Sequence, residues 1–144
     1  MAKKSYDLDP NHPVGRNILS QLYIYRGMYA EALAILEATQ KVDAKSQWDL
    51  HHLGITYAKM GRQNDARGVI TKLRDMSRTQ YVMSYYVAII YATLGDRDKA
   101  FDELELAYAA RDWRLNFVKV EQFLQPLRDD PRYAVLVKRM NLPE

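Results

Sequence analysis

His12, His51 and His52 are the side chains best suited to acid–base or metal chemistry in this chain, and the last two are adjacent. Neighbours on a helix stand about 100° apart, whereas a helical metal site needs ligands three or four residues apart on one face. His12 lies in a leading turn, so neither chelate is completed and no metal site is expected. Asp96, Asp98, Asp102, Glu103 and Glu105 crowd one stretch, but without the spacing of a calcium loop they read as a solvated helix face. No cysteine is present, which excludes thiolate catalysis, disulfides and zinc clusters. Neither a Gly-rich phosphate loop, a nucleophile elbow nor a spaced carboxylate pair is seen, so no enzyme and no cofactor is expected. Chemistry of another kind is offered by Trp48, Ile55, Tyr85 and Ile89, large apolar groups that bury contact area at little cost in rotamer freedom.

The elements that position these residues belong to a globular chain. Its 144 residues suffice for one domain that buries roughly two-thirds of its unfolded surface. With 48% hydrophobic and 27% charged residues and only 6 Gly and 5 Pro, disordered, collagen-like and membrane classes do not fit. Met1 to Asp7 carries two lysines with no apolar run behind them, so no signal peptide is expected. The longest uncharged stretch, between Arg78 and Asp96, is too short and too rich in Tyr, Ser and Thr to span a bilayer. A cytoplasmic location is the expectation. The 21 basic and 18 acidic residues are scattered, and the net charge of +3 points to neither a nucleic-acid nor a membrane partner.

An internal period of 34 residues organises the chain: Tyr23, Tyr57 and Tyr91; Gly27, Gly61 and Gly95; and Ala32, Ala66 and Ala100 recur at that interval. Softer columns share it, with small residues at Ser20, Gly54 and Ala88 and aliphatic ones at Leu36, Ile70 and Leu104. Each unit reads as a first helix closed by its glycine in left-handed geometry, a short turn and a second helix. The small column on one helix facing the Ala column on the other lets the pair approach closely.

These columns resemble the tetratricopeptide repeat family, a 34-residue helix-turn-helix pattern, over Pro13 to Arg114, or 102 of the 144 residues. The resemblance implies an all-α, right-handed solenoid: a remnant of a preceding repeat over 1–12, where Leu8-Asp9-Pro10 fits the pattern, then repeats over 13–46, 47–80 and 81–114, and a C-terminal cap over 115–144. The pattern's usual proline between units is replaced by Ala44, Arg78 and Asp112. In the cap, Gln125 and Asp129 stand where Tyr and Gly are due, while Ala134 keeps the Ala column. Asp130-Pro131 offers an N-cap and a first-turn proline, and Tyr133, Leu136, Val137 and Met140 follow at helical spacing. The stretch Pro126 to Tyr133 is similar to the close of bacterial tetratricopeptide proteins, often preceded by a kinase, cyclase or winged-helix domain, which implies a piece of a larger signalling protein.

On the first helix of each unit the second, fifth, ninth and twelfth positions point away from the helix pair. They place Val14, Asn17, Gln21 and Ile24, then Trp48, His51, Ile55 and Ala58, then Val82, Tyr85, Ile89 and Ala92 along one inner wall. The family holds extended or helical peptides on that wall. The expected peptide-binding residues are therefore Asn17, Gln21, Trp48, His51, Ile55, Val82, Tyr85 and Ile89, with the polar ones bonding a peptide backbone. Tetratricopeptide proteins that grip a C-terminal carboxylate use Lys, Asn and Arg there; Asn17, Gln21, His52, Val82 and Tyr86 supply no such cations, so an apolar or aromatic protein segment is the expected partner. The alternative is a structural or regulatory segment whose wall is filled by a neighbouring domain or a second copy. Homo-oligomerisation has its own signal, since Arg62, Arg67, Lys72, Arg74 and Arg78 of one copy could meet the acidic third repeat of another.

Overall fold

The computed structural model describes residues 12–141, and the expected repeat remnant around Leu8-Asp9-Pro10 lies outside the described residues. Regular structure among them is all helical: α1 (Pro13–Tyr25), α2 (Tyr29–Val42), α3 (Gln47–Lys59), α4 (Gln63–Met76), α5 (Ser84–Leu94), α6 (Arg97–Ala109), two 3-10 segments (Trp113–Phe117 and Gln122–Leu127) and α7 (Pro131–Met140).

One turn geometry recurs three times. Gly27, Gly61 and Gly95 adopt φ of 76°, 77° and 84°, left-handed backbone that glycine reaches without the strain a side chain brings. The N–H after each glycine reaches back to the carbonyl of Tyr23, Tyr57 or Tyr91 at 2.8, 2.8 and 3.0 Å. The glycine N–H itself donates to Ile24, Ala58 or Ala92. This is the left-handed closure that satisfies the last carbonyls of a helix. The second helix follows at once. Ala32, Ala66 and Ala100 donate to the carbonyls of Met28, Arg62 and Asp96, and all three are fully buried. Ser20, Gly54 and Ala88 are buried as well.

The chain divides into two compact units at Leu73 and Arg74, within α4. In the first, α1 packs on α2, and α3 packs on both. Leu19, Ile24, Leu36, Leu50 and Leu53 are buried there. The Ser46 hydroxyl caps α3 by accepting from the Asp49 N–H at 3.3 Å. In the second unit α5 packs on α6, the segment Gln122–Leu127 lies against α5, and α7 lies against α6.

The helix expected after Asp130-Pro131 is present. Asp130 accepts from the Arg132 N–H at 3.0 Å, Pro131 occupies the first turn and Leu136 is buried. The stretch before it departs from the repeat: where a first helix is due, the chain forms the two 3-10 segments, with Pro126 inside the second. Proline offers no N–H to an α-helical ladder and clashes with the preceding turn. Ala134 is exposed, so the cap keeps the residue type of the Ala column without its burial.

Burial sorts the alanines by role. Ala66→Leu should cost about 1–3 kcal/mol by overpacking, whereas Ala134→Leu should stay within about 0.5 kcal/mol of wild type. Urea titrations of the two variants check this, and equal midpoints would contradict the placement of the Ala column.

Candidate functional site

The residues expected to form a binding wall separate into buried and open groups. In the first unit Val14 is exposed, Asn17 and Gln21 are half-buried, and Ile24 is fully buried. On α3 the half-buried Trp48 ring stands edge-on to His51 and His52, with centroids 5.3 and 4.7 Å away. Both histidines and Ile55 are buried, the two imidazoles 4.0 Å apart. In the second unit Val82 is half-buried, while Tyr85 and Ile89 retain 2% and 1% exposure.

His51, Ile55, Tyr85 and Ile89 thus stand in the core rather than on an open wall. For α5 the cause lies in its own unit. The helix is buried without a break from Tyr85 to Ala92, α6 packs on it, and so does Gln122–Leu127, whose Phe123, Leu124 and Leu127 are buried. A helix that is apolar all round needs cover on every side. The segment that covers it, Gln122–Leu127, lies some thirty residues downstream, within the stretch expected to form a cap.

Among the described residues of the first unit, one face of α1 stays open. Val14, Ile18, Leu22 and Tyr25 are 58%, 45%, 41% and 39% exposed. Their three- and four-residue spacing aligns them in one stripe, with Asn17 and Gln21 along its edge. Ile18 and Leu22 were not among the expected wall residues.

The acidic cluster has partners in its own chain. Asp98 receives Arg132 at 2.9 Å and Glu105 receives Arg139 at 2.8 Å, each pair 34 residues apart, so the repeat period is written in charge as well as in packing. Exposed pairs of this kind contribute on the order of 0–1 kcal/mol each. Buried Glu103 accepts from Arg74 at 2.5 Å, and Arg74 also donates to the Tyr91 hydroxyl at 3.2 Å. Arg62 pairs with Asp65, and Lys72 donates to Gln40. Arg78 pairs with Asp75 as well, so four of the five cations assigned to a neighbouring copy hold contacts within their own fold.

Asp112, read as a departure from the repeat pattern, is a cap acting at a distance. It is buried, and its carboxylate accepts from the backbone N–H groups of Tyr85, at 3.3 Å, and Ser84, at the start of α5. Burial pushes its pKa above the ordinary carboxylate range, opposed by those two bonds. Asp49 is raised by burial too, against the pull of Ser46 and Arg16.

Among the described residues no helix is long and apolar enough to cross a membrane, and no three His, Cys, Asp or Glu gather as a metal would require. No protein-family model, curated protein or solved structure matches the chain.

Asp112 and Asp130 should tilt stability with pH in opposite directions. Asp112 binds its proton more readily folded than unfolded, so its contribution is fullest at low pH and declines as pH rises through its raised value. Asp130 is held at about 2 by Arg132, so its contribution is present above 3.8 and fades as pH falls toward 2. Melting temperatures of Asp112→Asn and Asp130→Asn across the acid range should each lose one of these slopes. Profiles parallel to wild type would contradict the assignment. Asp112→Ala should cost about 1 kcal/mol as a lost cap.

Proposed function

We propose that this chain is a noncatalytic protein-interaction module, a right-handed solenoid of tetratricopeptide-type helix pairs with a C-terminal cap. In this reading it holds an apolar partner segment on the outer face of α1. The solenoid is supported by the thrice-repeated Tyr–Gly closure and the buried Ala column at a spacing of 34 residues. The observation that carries the function is the exposed stripe of Val14, Ile18, Leu22 and Tyr25. Contiguous apolar side chains on a soluble surface mark interaction sites. Covering the roughly half of each side chain that is still exposed is worth about 1 kcal/mol apiece, from which a bound segment's ordering cost is drawn.

The stripe itself carries no charge: the one charged residue of α1, Arg16, is buried. Recognition there is by apolar fit, in the manner of a helix or extended strand laid against an apolar face, with Asn17 and Gln21 along its edge. The second reading, a segment of a larger signalling protein whose face is covered by a neighbouring domain or a second copy, draws on the same stripe.

Peptides selected from a random display library on the wild-type chain should include a class that loses affinity about tenfold or more for Ile18→Glu and for Leu22→Glu. Both sites are exposed, so the fold should be kept, and circular dichroism verifies it. Binders indifferent to both substitutions would remove the α1 site. A concentration-dependent dimer in light scattering, abolished by Leu22→Glu, would assign the face to a second copy instead.

A further inference from the structure

The open stripe on α1 has counterparts in the two units that follow, and they are closed. Counting on by 34 residues from Ile18 and Leu22 reaches His52 and Thr56 on α3, and by 34 again Tyr86 and Ile90 on α5. These four retain 2%, 0%, 5% and 0% exposure, against 45% and 41% for Ile18 and Leu22. The two columns are therefore a packing face of the repeat, left uncovered on α1 among the described residues.

Within the first unit the structure shows what a covered copy of this face lies against. The helix that carries His52 and Thr56, α3, packs on α2 and on α1, and its Tyr57 hydroxyl donates to Glu37 of α2 at 3.3 Å. Buried on α2 are Ala32, Ile35, Leu36 and Thr39, a small residue with aliphatic ones three and four positions on. The cover is helical.

Main-chain chemistry points the same way. Along the side of a helix the N–H and C=O groups are already bonded within it, so an extended segment laid on the stripe would find no main-chain partners there. A helix brings its own bonds satisfied. From Val14 to Tyr25 the stripe runs roughly 16 Å, or about three turns, and side chains spaced by three and four form ridges that seat in the grooves of a second helix.

We propose that the occupant of the α1 stripe is an amphipathic helix of a partner protein, about three turns or longer, whose contact face carries a small residue and aliphatic residues three and four positions on, as α2 does. This rests on the reading of α1 as the binding face and adds the conformation and residue pattern of what binds it. Because the stripe carries no charge, the partner's charged residues belong on its far side, and added salt should leave affinity nearly unchanged.

The test uses three fluorescein-labelled peptides: a Glu- and Lys-rich helix bearing the α2 pattern on one face, the same composition with its apolar residues scattered round the helix, and the first peptide with a central polar residue replaced by Pro. The first should bind the full chain, gain helical circular dichroism on binding, and lose about tenfold or more in affinity for Ile18→Glu and for Leu22→Glu. The scattered and Pro peptides should each bind about tenfold or more weakly than the first. Equal affinity of the Pro peptide, with sensitivity to Ile18→Glu kept, overturns the helical occupant and leaves α1 as a site for extended segments. Failure of the first peptide to bind, while library-selected peptides still respond to Ile18→Glu, does the same. Indifference of every bound peptide to both Glu substitutions removes the α1 site and this proposal with it. A dimer abolished by Leu22→Glu gives the face to a second copy and overturns the partner helix.

Discussion

The fold depends on a left-handed helix end that glycine closes at the least conformational cost. At Gly27, Gly61 and Gly95 the chain turns left-handed, and the following N–H is captured by a tyrosine carbonyl four residues before the glycine. That bond fixes where the second helix begins and the direction it takes. The second helix can then lie close only if its inward face is small, and there the chain places Ala32, Ala66 and Ala100, all without exposed surface. Turn and alanine are two halves of one constraint. A larger inward residue would push apart helices whose connection allows no slack.

This coupling made the helices legible from sequence. Column spacing marks each helix end, and burial of the small residues follows from the pairing. Asp130-Pro131 was equally readable, because a cap and a first-turn proline act on the helix that contains them. Contacts across long separations were not. A periodic pattern reports that a face is apolar but is silent on what lies against it, so Tyr85 and Ile89 passed for an open wall when Gln122–Leu127 packs on their helix. Asp112 escaped for a related reason. Its partners are backbone N–H groups 27 residues away, and a backbone donor leaves no mark on residue type. The charge ladder joining α6 to α7 was legible in principle, since Asp98 and Arg132, and Glu105 and Arg139, keep the period with opposite sign.

The same ladder explains why a chain with 39 charged residues offers so little directed field over most of its surface. Its acids and bases are largely spent on one another or on helix ends, as Arg74 is on Glu103 and Asp96 on the Lys99 N–H. Pairing of this kind contributes little energy per contact, yet it removes charge that would otherwise steer ligands. Asp112 and Glu121 follow the same rule, each carboxylate accepting from a backbone N–H at the start of a helical segment.

Replacing a helix with two 3-10 segments has a cost and a consequence. The 3-10 form holds its hydrogen bonds less well than an α-helix, and Pro126 rules out the longer ladder. The stretch is held instead by side chains: Leu115, Val118, Phe123, Leu124 and Leu127 turn inward, and Arg128 and Tyr133 bind its carbonyls. A 3-10 turn has three residues per turn rather than 3.6, so residues near the inward set fall on a different side than they would in a repeat helix. In the helices that follow the repeat, alternate burial leaves room outside for polar groups. Here it leaves Trp113, Phe117 and Val120 outside. The exposed Trp113–Phe117 pair thus lies on a stretch held by inward side chains and by Arg128 and Tyr133 rather than by an α-helical ladder.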